Sequence, residues 1–303
     1  MTQSDAAERM TTRLKVLLSG DRCIVAPGVA DAFAARMVGM EGFEACYMTG
    51  FGTSLTRLGM PDIGLLTMSE MVDNAARIVD ACGVPLIADA DTGYGNPMNV
   101  RRTIREYERA GVAGVHLEDQ AWPKRCGHLA GKRVVPVAEM EAKLKAAVDS
   151  RRDHDFIVIA RSDAIAVEGF AAALDRSERY RAAGADVIFV EAPTSVAQLE
   201  VIGQRFSGVP LLYNMAASGK TPDLDNATMA RLGFRVAIFP NWLLLAAIPA
   251  MRRMLRELKT KGSVADIRSE VATFTEFTQI AGLPEVQALE DRYGLPEDQR
   301  AGL

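Results

Sequence analysis

The chain has 303 residues, 49% of them hydrophobic, so we expect a water-soluble globular protein with a large core. Its formal net charge of −4 gives no overall attraction to nucleic acid, and its longest apolar stretches are too short to span a bilayer. We therefore expect neither nucleic acid nor a membrane as a partner. The polar start and the four cysteines without paired spacing favour a reducing, cytoplasmic location and no secretory signal.

Short apolar runs alternate along the chain with longer amphipathic segments. Such near-continuous hydrophobic strands between helices predict a parallel sheet that is buried on both faces. Several of the helical segments end in glycine, where the C-cap of a helix belongs. The apolar runs begin at Cys23, Ala45, Pro85, Gly114, Phe156, Val187, Pro210 and Arg235.

These eight units predict a (β/α)8 barrel, with an open doubly wound sheet as the alternative. Polar residues stand at the carboxyl end of almost every run, which favours the barrel because those ends meet at one rim. We expect a single barrel domain over residues 1–303, with a helical extension over about 243–303. The helices of this extension either cover the barrel or pack on a neighbouring subunit, and the polar end from Leu283 is expected to be only partly ordered.

Acidic residues gather near the predicted rim. Asp89 and Asp91, in DADTGYG, lie two residues apart at a strand end, so their side chains point to the same face. Asp62 and Glu118 add further acids, and such like charges repel unless a cation lies between them. Hard oxygens with few histidines suit Mg²⁺, or Mn²⁺, rather than zinc. The alternative is that some of these acids cap helices or bind arginines.

Arg161 ends the fifth predicted strand. It is expected either to pair with Glu191 on the next strand or to bind a substrate carboxylate in bidentate fashion, and the two roles are compatible. Asn214 and Tyr47 stand at other strand ends, where each could serve the site or only satisfy hydrogen bonds within the barrel. His116 lies inside a strand, which indicates a satisfied core histidine rather than a metal ligand.

The stretch WPKRCGHLAGKRVV, hereafter the 122–135 loop, follows the fourth predicted strand and so begins at the rim. Lys124, Arg125 and His128 surround Cys126 in it. Cationic neighbours lower the pKa of a thiol, so Cys126 is a candidate nucleophile or general acid–base group. We expect the loop to close over the site and bring its cations to a substrate carboxylate; the alternative is a mobile basic surface loop.

The motifs PKRCGH, DADTGYG, HLEDQ, ARSDA and YMTG closely resemble the isocitrate lyase and phosphoenolpyruvate mutase superfamily. The resemblance runs from about Val25 to Phe277. It implies a (β/α)8 barrel whose last helix is exchanged between subunits, usually in a tetramer. It also implies Mg²⁺ near Asp89, Asp91 and Glu118, partly through water, with Asp62 behind them.

The lysine, cysteine, glycine and histidine of the 122–135 loop mark the carbon–carbon lyases of this superfamily. They correspond to Lys124, Cys126, Gly127 and His128. By this resemblance, Cys126 protonates the carbanion left after C–C cleavage. The catalytic set that the resemblance implies is completed by Tyr47, which takes the proton of the substrate's 2-hydroxyl group, and by Arg161 near the cleaved bond.

The resemblance also implies a site for a small di- or tricarboxylate. One carboxylate would be held by the backbone amides of Thr49, Gly50 and Phe51, with Glu191 and Asn214 lining the same site. These assignments make the substrate an organic acid that is cleaved between two carbon atoms.

The residue two places after Asn214 bears on the choice of substrate. It is Ala216, whereas isocitrate and methylisocitrate lyases place a hydroxyl there, so the sequence looks more like the lyases of 2,3-dimethylmalate and related alkylmalates. Pro240 stands where oxaloacetate hydrolases have a serine, which argues against hydrolysis. Methylisocitrate lyase is the nearest alternative, followed by an oxaloacetate decarboxylase, a phosphonate enzyme and a non-catalytic metabolite-binding barrel.

Overall fold

The computed structural model describes residues 9–127, 130–218 and 220–302. The chain divides into two compact units, Met1–Leu243 and Leu244–Leu303. No helix in the described ranges is both long and apolar enough to cross a membrane.

The first unit contains a closed barrel, in which the eight parallel strands of the described residues pair in chain order and β1 closes on β8. Each predicted apolar run forms one of these strands, so the barrel is confirmed and the open sheet is wrong. The strands are β1 (Ile24–Val29), β2 (Cys46–Met48), β3 (Leu86–Asp89), β4 (Gly114–Glu118), β5 (Ile157–Ser162), β6 (Val187–Val190), β7 (Leu211–Asn214) and β8 (Phe234–Phe239).

Helices lie between the strands, as the amphipathic segments predict. They are α1 (Met10–Ser19), α2 (Ala32–Met40), α3 (Gly50–Leu58), α4 (Met68–Cys82), α5 (Pro97–Arg109), α6 (Val137–Ser150), α7 (Ile165–Glu168), α8 (Phe170–Ala182), α9 (Val196–Arg205) and α10 (Asn226–Arg231). The next helix, α11 (Trp242–Lys261), begins in the first unit and continues into the second.

Helix α4 shows how local sequence sets the helix ends. Thr67 N donates to Glu70 Oε2 at 2.8 Å, and Glu70 N donates to Thr67 Oγ1 at 3.4 Å, which forms a capping box. Gly83 ends the helix with a φ of 64°, a left-handed conformation that glycine adopts without steric cost. Gly83 therefore ends the helix as predicted, and the chain turns there towards the next strand.

Alternation along the strands places the functional groups inside the barrel. On β4, Val115 and Leu117 pack outward under the helices, whereas His116 and Glu118 point inward. The strand register sets Glu118 beside Arg161 on β5. The interior behind these groups is filled by apolar residues, and α1 contributes Leu14 to this cluster. The polar groups are thereby confined to the carboxyl ends of the strands.

The second unit is helical. The polar end that was expected to be only partly ordered contains a regular helix. Several apolar side chains in this unit are largely exposed, among them Leu255 at 62%, Phe274 at 71% and Tyr293 at 68%. Besides the rest of α11, its elements are the 3₁₀ turn Ala265–Glu270, α12 (Phe274–Ile280), α13 (Leu283–Tyr293) and the 3₁₀ turn Glu297–Gln299.

Candidate active site

The four predicted acids are all buried, and the lysine of the 122–135 loop lies among them. Lys124 Nζ is 2.6 Å from Asp62 Oδ1 and 2.6 Å from Asp91 Oδ1, and its side chain is only 2% exposed. Asp89 Oδ1 accepts a hydrogen bond of 2.9 Å from Asp91 N. Glu118 Oε2 is 3.3 Å from an Arg161 nitrogen. Glu118 therefore follows the alternative prediction that some of these acids bind arginines.

Burial sets the ionisation of these acids. It raises the pKa of Asp91 to about 7 and holds the pKa of Glu118 well above its ordinary value. Burial also opposes ionisation of Asp89, but positively charged neighbours, among them Lys124, bring its pKa down to about 2. Positive charge added beside Asp91 and Glu118 would favour the ionised form of both carboxyl groups.

The unused oxygens fit a hard cation. Neither carboxylate oxygen of Glu118 accepts a hydrogen bond, and Asp91 Oδ1 forms an ion pair of 2.6 Å with Lys124 Nζ. Buried carboxylate oxygens of this kind are typical ligands of Mg²⁺. In the described ranges no three His, Cys, Asp or Glu side chains converge as a metal cluster.

Tyr47 on β2 contacts His116 on β4. Its hydroxyl oxygen is 2.9 Å from His116 Nε2, and the two rings stack with centroids 5.8 Å apart. Burial lowers the pKa of His116 to about 4 and holds the pKa of Tyr47 well above its ordinary value. The positive charges of Arg161 and Lys124 act in the opposite direction on Tyr47. Additional positive charge at this end of the barrel would favour the ionised hydroxyl further.

Arg161 has a partner that sequence reasoning missed. It donates from Nε to Asp163 Oδ2 at 2.9 Å and from Nη2 to Asp163 Oδ1 at 3.1 Å, whereas Nε lies 3.7 Å from the predicted partner Glu191. Asn214 Nδ2 in turn donates to both carboxylate oxygens of Glu191, at 3.2 and 3.1 Å. The spacing of Arg161 and Asp163, two residues apart at one strand end, was the signal that could have indicated this pair.

The amino end of α3 lies beside the acids. Gly50 N donates to Asp89 Oδ2 at 3.2 Å, and Thr49 N donates to Val29 O at 3.1 Å. A Cβ on Gly50 would stand 2.4 Å from Asp89 Oδ2, so only glycine fits there. The backbone amides of Thr49, Gly50 and Phe51 were predicted to hold a substrate carboxylate. Those of Thr49 and Gly50 already donate to acceptors within the protein, which a substrate would have to displace.

The 122–135 loop brings its thiol to the barrel mouth. Cys126 is half-buried, and its backbone N donates to Asp62 O at 3.1 Å. The loop's cations do not converge on a substrate position as we expected, because Lys124 binds the acids and Arg125 Nη1 donates to Ala130 O at 3.0 Å. The predicted catalytic residue His128 lies outside the described residues.

One small cavity unites most of the predicted residues. It encloses about 40 Å³, room for only a few water molecules, so an organic acid can enter only if its walls move. A larger groove of about 880 Å³ lies beside the starts of β7 and β8, at the opposite end of the barrel from these acids. The small cavity is lined by Tyr47, Thr49, Phe51, Asp62, Asp89, Cys126, Gly127, Arg161, Asn214, Ala216, Ile238, Pro240 and Asn241.

Comparison with known proteins assigns the family. Residues 14–259 match the family model for phosphoenolpyruvate phosphomutase. The chain belongs to the PEP mutase/isocitrate lyase superfamily. Among its relatives in this superfamily, 2,3-dimethylmalate lyase of Eubacterium barkeri is 46% identical over 93% of this chain and 97% of its own length. The 2-methylisocitrate lyase of Aeropyrum pernix is 42% identical over 91% and 88%, respectively.

Solved structures from the superfamily share the whole fold. The crystal structure of a 2,3-dimethylmalate lyase has a TM-score of 0.91 and 39% identity, over 98% of this chain and 99% of that one. A phosphonopyruvate hydrolase in complex with oxalate and Mg²⁺ has a TM-score of 0.85 and 29% identity, over 94% and 99%. The resemblance stated from the sequence motifs is thus confirmed at the level of the superfamily.

Proposed function

We propose that this chain is a carbon–carbon lyase that cleaves a 2-hydroxy dicarboxylate of the alkylmalate type, such as 2,3-dimethylmalate, into a 2-oxo acid and a carboxylate. The observation that carries the proposal is a single cavity whose lining includes Tyr47, Cys126 and Arg161. Cleavage of this kind needs a base for the 2-hydroxyl group and an acid for the carbanion, and these side chains supply both types of group.

In the proposed reaction, the ionised hydroxyl of Tyr47 accepts the proton of the substrate's 2-hydroxyl group, while His116 holds the Tyr47 oxygen in place at 2.9 Å. The C2–C3 bond breaks, the C2–O bond becomes a carbonyl, and the electron pair of the broken bond stays on the second fragment. Cys126 gives its proton to that carbon. Arg161, oriented by Asp163, faces the negative charge of the substrate.

Mg²⁺, with Mn²⁺ as an alternative, is the proposed cofactor, held at Asp89, Asp91 and Glu118, partly through water, with Asp62 behind them. The buried oxygens of Glu118 that accept no hydrogen bond support this assignment, and so does the Mg²⁺ in the phosphonopyruvate hydrolase relative. When bound, the ion would stabilise negative charge on the keto-acid oxygen.

The lining of the cavity supports an alkyl-substituted substrate. Ala216, Ile238 and Pro240 form an apolar part of its wall. A methyl group gains by leaving water for such a surface, whereas a carboxylate there would lose hydration without a partner. Methylisocitrate cleavage is the second candidate, since Asn214 and Asn241 line the same cavity and the Aeropyrum relative bears that name.

The assembly and the domain layout are part of the same proposal. We propose a single barrel domain with a helical extension from about residue 243, assembled into a homotetramer in the cytoplasm with an exchanged last helix. The exposed apolar side chains of the second unit, such as Met251 at 62% and Phe277 at 58%, support association with another copy. Light scattering coupled to gel filtration would measure the oligomer, and a monomer at micromolar concentration would refute it.

A substrate panel tests the activity. Purified protein is incubated with Mg²⁺ and, separately, with 2,3-dimethylmalate, other alkylmalates, methylisocitrate, oxaloacetate and phosphonopyruvate, and 2-oxo acid or phosphate release is measured. The highest kcat/KM is expected with an alkylmalate. A higher value with methylisocitrate would select the second candidate, and no turnover of any malate-type acid would refute a lyase of this kind.

A further inference from the structure

The backbone around Cys126 is fixed on its amino-terminal side by the Gln120 side chain. Arg125 N donates to Gln120 Oε1 at 3.0 Å, and Gln120 Nε2 donates to Arg125 O at 2.8 Å. The next residue, Cys126, donates its own N–H to Asp62 O at 3.1 Å. Gln120 is 1% exposed, so both halves of its amide are used inside the protein. The primary amide thus holds the backbone N–H and the backbone C=O of Arg125, the residue before Cys126.

On the carboxyl-terminal side, the restraint comes from Lys132. Its Nζ donates to Gly127 O and lies 3.0 Å from Asp163 Oδ1. The same Asp163 carboxylate accepts two hydrogen bonds from Arg161. One buried carboxylate therefore joins the backbone after Cys126, through Lys132, to the guanidinium that faces the cavity.

The backbone of the loop packs tightly against Arg161 at Gly127. A Cβ built on Gly127 would stand 2.3 Å from Arg161 Nη2 and 3.0 Å from Glu191 Cγ. The backbone of the loop thus lies directly against the groups with which the thiol must cooperate. Burying the Lys132 ammonium, whose side chain is 2% exposed, carries a desolvation cost that only well-placed acceptors offset. Gly127 O and Asp163 are those acceptors.

We propose that Gln120 and Lys132 are positioning residues that hold Cys126 in register with Arg161 by fixing the backbone on both sides of the thiol. The consecutive residues Arg125, Cys126 and Gly127 are each restrained through main-chain atoms. The inference rests on the proposed function, because it gives Cys126 the proton-donating role. A displacement of about 1 Å at such a group costs on the order of 10²-fold in rate.

The test uses Lys132→Met and Gln120→Met, with Arg133→Met as the matched control. Arg133 is an exposed residue of the same loop, and only its carbonyl oxygen, which a substitution retains, accepts a loop hydrogen bond. The measurements are kcat and KM for 2,3-dimethylmalate with Mg²⁺, the melting temperature, and the rate of Cys126 carbamidomethylation by iodoacetamide without substrate. A Cys126→Ser protein gives the background from the other cysteines, which are buried.

Both test variants are expected to lose on the order of 10²-fold in kcat, with KM within about threefold of wild type. Their Cys126 should react with iodoacetamide at least several times faster than in the wild type, whereas Arg133→Met should match the wild type in every measurement. Gln120→Met removes no charge, so it tests the proposal even if Lys132→Met does not fold. Wild-type kcat and wild-type alkylation in a folded variant would overturn the proposal.

The proposed function and the positioning role of Gln120 and Lys132 can be refuted independently of each other. Alkylation reports the placement of Cys126 without any substrate, so a wild-type protein that cleaves none of the acids refutes the function and leaves the alkylation result to decide the positioning role. If both variants lose their fold, Gln120 and Lys132 serve the stability of the whole protein, and the positioning role is rejected.

Discussion

Replacing Asp163 by Asn tests the buried charge network that joins Arg161 to the 122–135 loop. The carboxylate is fully buried, and it accepts two hydrogen bonds from Arg161 and one from Lys132. Asparagine has nearly the same shape but no charge, and its Nδ2 group would face one of these donors. The change therefore removes one negative charge between two buried cations without opening a cavity.

The size of the effect follows from what remains around each cation. Removing one partner of a buried ion pair typically costs about 3–5 kcal/mol. Arg161 keeps Glu118 at 3.3 Å and Glu191 at 3.7 Å, whereas Lys132 keeps only the neutral Gly127 O. We therefore expect a loss at the lower end, about 3 kcal/mol in the free energy of unfolding. For a chain of this size, that corresponds to a fall of roughly 5–10 °C in Tm.

Differential scanning calorimetry measures this change, with Asp73→Asn as the control. Asp73 pairs with Arg57 at 2.8 Å and with Arg77 at 3.0 Å, but its side chain is 42% exposed. Exposed ion pairs contribute only about 0–1 kcal/mol, so the control should lower Tm by no more than a few degrees. Equal shifts for the two variants would refute the reasoning, because they would mean that burial adds nothing to the Asp163 pairs.

Three further predictions concern the reaction. Cys126→Ser should lower kcat by about 10²–10⁴-fold while calorimetric Mg²⁺ binding is retained, and full activity would remove the thiol from the mechanism. Gly127→Ala should lower kcat by tenfold or more and Tm by a few degrees, since its Cβ would stand 2.3 Å from Arg161 Nη2 and displace it; wild-type kcat would contradict this. Treatment with EDTA should abolish both turnover and substrate binding, measured by calorimetry, and Mg²⁺ or Mn²⁺ should restore them; activity that persists in EDTA would exclude the proposed cofactor.

The barrel could be predicted because its signals are local. Each strand is a short apolar run, each connecting segment has helical periodicity, and several helices end at a glycine such as Gly83. The convergence of acids could also be predicted, since Asp89 and Glu118 stand at the carboxyl ends of neighbouring strands, and such ends meet in a barrel. These inferences need only the position of a residue within its own element.

The partners of the site residues could not be predicted, because they depend on contacts between distant parts of the chain. Tyr47 and His116 are 69 residues apart, and Lys132 and Asp163 are 31 apart. Lys124 stands in a basic stretch that composition alone assigns to the surface, yet it is buried against Asp62, because the loop folds back over the rim. No periodicity along the sequence encodes such a pairing.

The charges at the barrel mouth explain why a metal ion and an anionic substrate belong together here. Around the cavity, the buried acids of the described residues outnumber the buried cations, so a dianionic acid entering alone would add to an existing excess of negative charge. Burial keeps the pKa of Glu118 well above its ordinary value, and the negative charges of Asp163 and Asp89 act in the same direction. A divalent cation would cancel two of the three excess negative charges, and for this reason EDTA is expected to abolish substrate binding as well as turnover. The acids are Asp62, Asp89, Asp91, Glu118, Asp163 and Glu191, and the cations are Lys124, Lys132 and Arg161.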